Sequence, residues 1–276
     1  MVQETHPLKG RTIVVTRPRQ QAADTIKAIE ALGGKPYVLP TIEIQIPRDL
    51  SAVRTFFQAL ADRKADYVIL MSVNGVQHLL TIADNMGIMD EVKRNLKNTV
   101  VVAVGPKTAQ KLEANGIHVD LIPEKYTSEA IRQCLQQRNV TGKAIFIPRT
   151  SEAPPELGEK LRAMGNNVKE IHVYQSQLPS DRGLAPRFAK DLTDGKVDAI
   201  LFTSSLGVRN FFQMLKHAIS IEKLKQLLGK KTVVVAIGPT TAKTLTEAGV
   251  KVDVMPQDHT LEGAINALAD YWSVKR

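Results

Sequence analysis

The chain has 276 residues, 43% of them hydrophobic, and a formal net charge of +9. That length suits two cores rather than one, since domains usually run roughly 100–150 residues, and no run approaches the ~18 apolar residues of a membrane span. The start, Met1-Val-Gln-Glu-Thr-His6, lacks the regions of a secretory signal, and the single cysteine, Cys134, excludes an internal disulfide and a thiolate metal site.

In chain order, Thr12–Thr16 is a nearly all-apolar strand, and Ala22 to Leu32 is a helix with Ile26, Ile29 and Leu32 inward and Gly33-Gly34 as its stop. Pro40-Thr-Ile-Glu-Ile-Gln-Ile-Pro47 is extended with period 2. Tyr67–Met71, Thr99–Val104 and Ala144–Ile147 are further apolar strands, and Cys134 is expected as a buried thiol beside Ile131 and Leu135. His172-Val-Tyr-Gln-Ser-Gln-Leu-Pro179 is a second extended segment, followed by strands at Ala199–Thr203 and Thr232–Ile237. Lys223, Lys225, Lys230 and Lys231 flank a Leu224, Leu227, Leu228 seam and read as a solvated helix face. Apolar runs of this kind suit strands covered on both faces of a parallel sheet, so the fold class is α/β and doubly wound.

The chain also repeats itself. Val102-Ala-Val-Gly-Pro-Lys-Thr-Ala109 returns as Val235-Ala-Ile-Gly-Pro-Thr-Thr-Ala242, 133 residues on (238 against 105). Leu112, Gly116, Val119-Asp120, Pro123, Thr127 and Glu129 find partners at Leu245, Gly249, Val252-Asp253, Pro256, Thr260 and Glu262. Upstream, Asp66–Val76 matches Asp198–Val208, and Gly10, Ile13, Arg17, Gly33 and Pro47 match Gly142, Ile145, Arg149, Gly165 and Pro179, at 132 (198 against 66). A repeat this long is a whole domain, and clefts between domains are where ligands usually bind. The two extended segments are equivalent to each other, which points to a chain that crosses between domains twice. The expected domains are 1–38 with 179–276, and 47–171, with 39–46 and 172–178 as linker strands.

Each candidate site residue has a structural reading beside the functional one. Gly105-Pro106 and Gly238-Pro239 open helices whose free N–H groups suit a carboxylate, or they simply start those helices. Thr108, Thr240 and Thr241 lie in the first turns, placed to cap or to touch a ligand. Ser72, Ser204 and Ser205 stand at carboxyl ends of strands, where open α/β sheets bind ligands and where helices are also capped. Thr127-Ser128 and Thr260 precede helices bearing Glu129 and Glu262, so capping competes with substrate contact there too. Arg17 and Arg149 each follow the first strand of their copy, either solvated or gripping a carboxylate. Tyr174 breaks the repeat, because its counterpart is Ile42. It would share a strand face with His172. No Gly-x-Ser-x-Gly elbow, P-loop, dinucleotide fingerprint or metal-spaced histidines occur.

Val14-Val-Thr-Arg-Pro18, Leu70-Met-Ser72, the Gly105-Pro and Gly238-Pro-Thr-Thr-Ala turns, and Val173-Tyr-Gln-Ser-Gln-Leu-Pro179 together resemble the uroporphyrinogen-III synthase family, over about residues 8 to 270. The resemblance implies two flavodoxin-like doubly wound parallel-sheet domains joined by a two-stranded β-linker, with the site in the cleft. It implies that hydroxymethylbilane, a polycarboxylate linear tetrapyrrole, loses water and closes to uroporphyrinogen III with ring D inverted, without metal or organic cofactor. Tyr174 then matches the family tyrosine that assists departure of the substrate hydroxyl, and Thr108 and Thr241 match threonines that matter for activity. The family's basic residue after the first serine is absent, Val73-Asn74 standing there.

A cytoplasmic monomer is expected, with a transient contact to the preceding enzyme of the pathway and no membrane partner. The competing reading is a non-catalytic two-lobed sensor of an anionic ligand, for which an asymmetric hydroxyl in the hinge has no use. A nucleic-acid partner is the weakest reading, because aromatics are only 5% and the basic residues are dispersed.

Overall fold

The computed structural model describes residues 6–274. Met1–Thr5, where no secretory signal is read, lie outside the described residues. In chain order the elements are β1 (Thr12–Val15), α1 (Ala23–Ala31), β2 (Lys35–Val38), β3 (Glu43–Gln45), α2 (Ser51–Ala61), β4 (Tyr67–Leu70) and α3 (Val73–Asn85). There follow α4 (Met89–Leu96), β5 (Val100–Ala103), α5 (Pro106–Glu113), α6 (Ser128–Gln136), β6 (Ala144–Thr150), α7 (Glu156–Ala163) and β7 (Asn167–Gln177). The rest comprises α8 (Leu184–Thr193), β8 (Ala199–Phe202), α9 (Ser205–Leu215), α10 (Ile221–Lys230), β9 (Val233–Ala236), α11 (Pro239–Glu247) and α12 (Leu261–Ser273). None of these helices is long and apolar enough to cross a membrane.

The described residues fall into two compact units, one up to Glu43 and again from Gln177, the other from Ile44 to Ser176. The first holds a parallel sheet of order β2-β1-β8-β9, the second a sheet of order β3-β7-β6-β4-β5 whose last four strands are parallel. Alternate residues of each strand enter opposite cores. In the first unit Val14, Ile200 and Val234 meet Phe188, Phe211, Leu224 and Leu245 of α8–α11, while Ile13, Val15, Leu201 and Val235 meet Ile29, Ile265 and Leu268 of α1 and α12. In the second, Val68, Leu70, Val101 and Phe146 face α2–α5, and Ile69, Val102, Ile145 and Ile147 face α6 and α7. Burial on both faces, at roughly 1.5–3 kcal/mol per large apolar side chain, is why these strands read as unbroken apolar runs.

Two stretches of strand escape the sequence pattern. β2 (Lys-Pro-Tyr-Val) and the start of β7 (Asn-Val-Lys-Glu) are polar, and β2 contains Pro36. Both lie at or beside sheet edges, where one missing donor is tolerated and one side meets water. The two extended segments also differ. β2 stops at Val38, although Leu39 and Thr41 still donate to the Val15 and Thr16 carbonyl oxygens, and the short β3 begins at Glu43. The counterpart of Pro40 is His172, through which β7 runs unbroken for 11 residues. Cys134 is half-buried rather than buried; Arg138 donates to its carbonyl oxygen and lies 3.3 Å from its sulfur.

Four of the repeated residues are clamps at the amino ends of strands. Asp198 accepts from the backbone N–H of Thr12 and Asp66 from that of Ala144, each at 2.8 Å. Asp120 accepts from Val101 N–H at 2.7 Å and Asp253 from Val234 N–H at 2.9 Å. Asp198 and Asp66 tie β1 and β6 to the residues before the neighbouring strands β8 and β4, and Asp120 and Asp253 tie β5 and β9 to the segments that follow α5 and α11. Asp253→Ala is expected to lower unfolding free energy by about 1.5–3 kcal/mol, the range for a hydrogen bond to a charged group. Urea denaturation reads this directly, and an unchanged midpoint and slope would rule the clamp out.

Candidate functional site

In a parallel sheet every strand delivers its following turn to the same end, so the candidates gather by topology alone. In the second unit these turns are Ser72 after β4, Gly105 after β5 and Thr150–Glu152 at the end of β6, and Tyr174 lies level with Thr150. In the first unit they are Thr16-Arg17 after β1, Ser204-Ser205 after β8 and Gly238 after β9.

Tyr174 owes its direction to a bulge. Arg149 pairs with His172, but the next residue, Thr150, pairs with Tyr174, leaving Val173 as the extra residue. Ile171 and Val173 are buried in the core under α2–α5, and the bulge turns Tyr174 against that same core instead of alternating away. His172 is exposed, so it does not share a face with Tyr174 as the simple alternation predicted. The phenol oxygen reaches past β6 to within 3.4 Å of Ser72 Oγ. Ser72 Oγ also accepts from Gly75 N–H at 3.1 Å, as the N-cap of α3. The tyrosine ring is stacked on His78 of α3, with centroids 5.0 Å apart and planes 28° apart. His78 Nδ1 is 2.8 Å from the Asn74 carbonyl oxygen, which makes it the protonated nitrogen and leaves Nε2 as the free one. Gly75 lies where α3 approaches β6 closely: a Cβ there would stand 3.3 Å from the Pro148 carbonyl oxygen and 3.4 Å from Ser72 Oγ, a tight contact.

The remaining hydroxyls are mostly engaged by the protein. Ser204 caps α9 by accepting from Gly207 N–H, Thr127 caps α6 through Ala130 N–H, and Thr260 caps α12 through Gly263 N–H. Ser128 is the first residue of α6. Glu129 does not close a cap; Arg132 and Lys160 hold its carboxylate and lower its pKa to about 2. Ser205 Oγ donates to the Thr240 carbonyl oxygen and accepts from Thr244 Oγ1, tying α9 to α11, with Thr240 itself exposed. Thr108 is buried and donates to the Val104 carbonyl oxygen at 3.1 Å; Thr241 is equally buried. The two Gly-Pro turns differ in backbone: Gly105 has φ 92°, where a side chain is strained, and Gly238 is extended at −173°. Neither helix has a side-chain cap.

The two arginines differ more. Arg149 is buried and donates to Glu170 on β7 at 2.9 Å and to the Pro154 carbonyl oxygen at 3.0 Å. It is a strut between β6 and β7, not a free group waiting for a carboxylate. Arg17 is half-buried and donates to Gln21 at 3.2 Å; the Nε of each arginine is buried without a partner, so what separates them is the carboxylate that only Arg149 meets. Burial lowers the pKa of Arg17, against the opposing pull of Asp24. The cause of the difference is legible in the repeat, because the counterpart of Glu170 is Val38, which offers no charge.

Sequence reasoning passed over His78 and Glu152. Glu152 accepts from Thr150 Oγ1, from Ser151 Oγ at 2.7 Å and from Ser176 N–H at 3.0 Å. Burial raises its pKa, but these donors outweigh burial and hold it below the ordinary value. The signal for His78 was its mismatch with the counterpart Asn210. Among the described residues no group of three or more His, Cys, Asp or Glu side chains is arranged to hold a metal ion.

The sequence model of the family described as uroporphyrinogen-III synthase HemD matches residues 23–266. A relative from Methanothermobacter thermautotrophicus is 34% identical over 93% of this chain and 97% of its own. The uroporphyrinogen-III synthase of Synechococcus elongatus is 30% identical over 96% and 97%. A crystal structure of a mutant uroporphyrinogen III synthase from Thermus thermophilus shares the fold with a TM-score of 0.61 at 21% identity, covering 96% of this chain and 100% of that one. With a family match over most of its length, and curated relatives matched nearly end to end, the chain belongs to the uroporphyrinogen-III synthase family.

Proposed function

We propose that this chain closes hydroxymethylbilane to uroporphyrinogen III, with loss of water and inversion of ring D, a step of porphyrin and heme biosynthesis. Membership of the synthase family supports the reaction, and the Tyr174–Ser72 hydroxyl pair at the carboxyl ends of β7 and β4 carries its assignment to residues. The pyrrole nitrogen supplies the electrons that expel the hydroxyl, so the protein needs to supply a proton donor to the leaving oxygen. Tyr174 is that donor in this reading. Ser72 Oγ, polarised by the Gly75 N–H it accepts, donates in turn to the phenol oxygen, and such chains strengthen each bond. Selectivity needs little more: a hundredfold preference for one ring carbon is about 2.7 kcal/mol of differential transition-state binding.

The substrate is a polycarboxylate, and the net charge of +9 favours its approach. Arg17 is the side chain we assign to one of its carboxylates, because Arg149 is held by Glu170 whereas the repeat places the uncharged Val38 where Arg17 would find such a partner. Thr108 and Thr241 act by bracing the Gly-Pro turns, whose N–H groups face anions. Ser204, Ser205, Thr127, Ser128, Thr240 and Thr260 serve through the helix ends they hold. A non-catalytic sensor is not favoured, given the family. We read the two units as flavodoxin-like domains of one internal repeat, supported by strand orders β2-β1-β8-β9 and β7-β6-β4-β5 that correspond position by position at the repeat spacing. On this reading β3 and the last residues of β7 are the linker, and the enzyme works as a cytoplasmic monomer.

Tyr174→Phe is expected to lower kcat by about 10²-fold, the low end for general-acid assistance, with isomer III still the main product. Assay with hydroxymethylbilane followed by oxidation and isomer analysis reads both, and full activity at saturating substrate would remove Tyr174 from the chemistry. The arginines are expected to separate. Arg17→Ala should raise KM with the fold intact, whereas Arg149→Ala, which leaves Glu170 only its 3.3 Å pairing with Arg162, should cost about 1–3 kcal/mol of stability. Equal effects of the two on KM and on the urea midpoint would contradict this division.

A further inference from the structure

The repeat breaks at Tyr174, where its counterpart is Ile42, and it breaks a second time at the residue that touches Tyr174. His78 of α3 corresponds to Asn210 of α9, 132 residues on (210 against 78). Asn210 is buried, and its amide donates to the Thr41 carbonyl oxygen at 2.9 Å. The same helix position therefore serves the same crossing segment in both copies, but by different means. In one copy an amide holds the backbone next to an aliphatic side chain. In the other an imidazole lies flat on a phenol ring.

We propose that His78 is the positioning residue for Tyr174 in the cyclisation, holding the phenol hydroxyl beside Ser72 through the ring stack. The proposal rests on the reading that Tyr174 is the proton donor. Three observations support it. The Asn74 carbonyl oxygen pins Nδ1, so the imidazole plane is fixed by the helix that carries Ser72 as its cap. The bulge at Val173 turns Tyr174 toward α3, where neither simple alternation nor core packing of a plain strand would put it. Both rings are only half-buried, so apolar burial alone does not account for the stack. A phenol has two side-chain torsions, and stacking one face against a pinned plane removes the ring's swing without consuming its hydroxyl. That leaves the phenol oxygen to accept from Ser72 and its O–H to donate to the substrate.

The experiment compares His78→Ala, His78→Phe, Tyr174→Phe and the His78→Ala/Tyr174→Phe double variant, each first checked for an unchanged urea midpoint. Misplacing a catalytic group by about an ångström can cost up to ~10²-fold. His78→Ala is accordingly expected to lower kcat about tenfold, with KM within about twofold of the parent. His78→Phe, which keeps a flat ring and no titratable group, should recover most of the loss. The double variant should be no slower than Tyr174→Phe alone, because His78 acts only through the phenol. A ring-current shift of the His78 Cε1 proton that vanishes in Tyr174→Leu should report the stack in solution, with no turnover involved. The proposal is overturned if that shift is absent, if His78→Ala leaves kcat unchanged while Tyr174→Phe lowers it, or if the two losses multiply. Full activity of Tyr174→Phe together with an intact stack would instead remove the proton-donor reading, and this proposal with it.

Discussion

Parallel pairing of strands is the constraint from which the rest of this molecule follows. Strands that all run one way need helices to return the chain, and the helices cover both faces of each sheet, so the strands become apolar on both sides. In each sheet the parallel strands then end at the same edge, and all but β2 hand over to a helix N-terminus. That one edge collects unpaired N–H groups, the small hydroxyl residues that satisfy them, and the positive ends of the helix dipoles. An anionic ligand meets there a surface that the fold had to build in any case.

The economy has a consequence for how the hydroxyls are read. Ser72, Ser204, Thr127 and Thr260 all accept from the backbone N–H three residues on, so each is first a cap. An oxygen that accepts such a bond still carries a proton to donate. Ser72 is distinguished from the others by what stands opposite its oxygen, namely the phenol oxygen of Tyr174 at 3.4 Å. The amino ends of the strands show the complementary pattern. There Asp66, Asp120, Asp198 and Asp253 take strand N–H groups in both copies, and the symmetry is undisturbed.

A few matched positions that diverge on the crossing segments and their neighbours have structural consequences. Pro40 stands against His172 where one strand has ended and the other runs on. Val38 against Glu170 decides whether an arginine is left unneutralised or locked between strands. Ile42 against Tyr174, with Asn210 against His78, decides which copy presents a phenol. A duplicated scaffold repeats the same clamps and caps in its two halves, and these few side chains make the halves chemically different.

The sequence by itself determined the α/β class, the six apolar strands, the repeat spacing and the family, because burial on both sheet faces and Gly-Pro helix starts are written in local residue order. It left open whether Ser72 or Thr127 caps or binds, since both roles ask for the same hydroxyl at the same place. It missed β2 and the first half of β7, whose polar edge positions carry no periodic signal. The tertiary structure alone decided the direction of Tyr174, because a bulge of one residue cancels the alternation from which a face is predicted. It alone decided that Arg149 is spent on Glu170 and that Tyr174 lies on His78, contacts across 21 and 96 residues (170 against 149, 174 against 78). Such pairings depend on which strands and helices become neighbours in the sheet, and that is a property of the whole packed unit rather than of any stretch of chain.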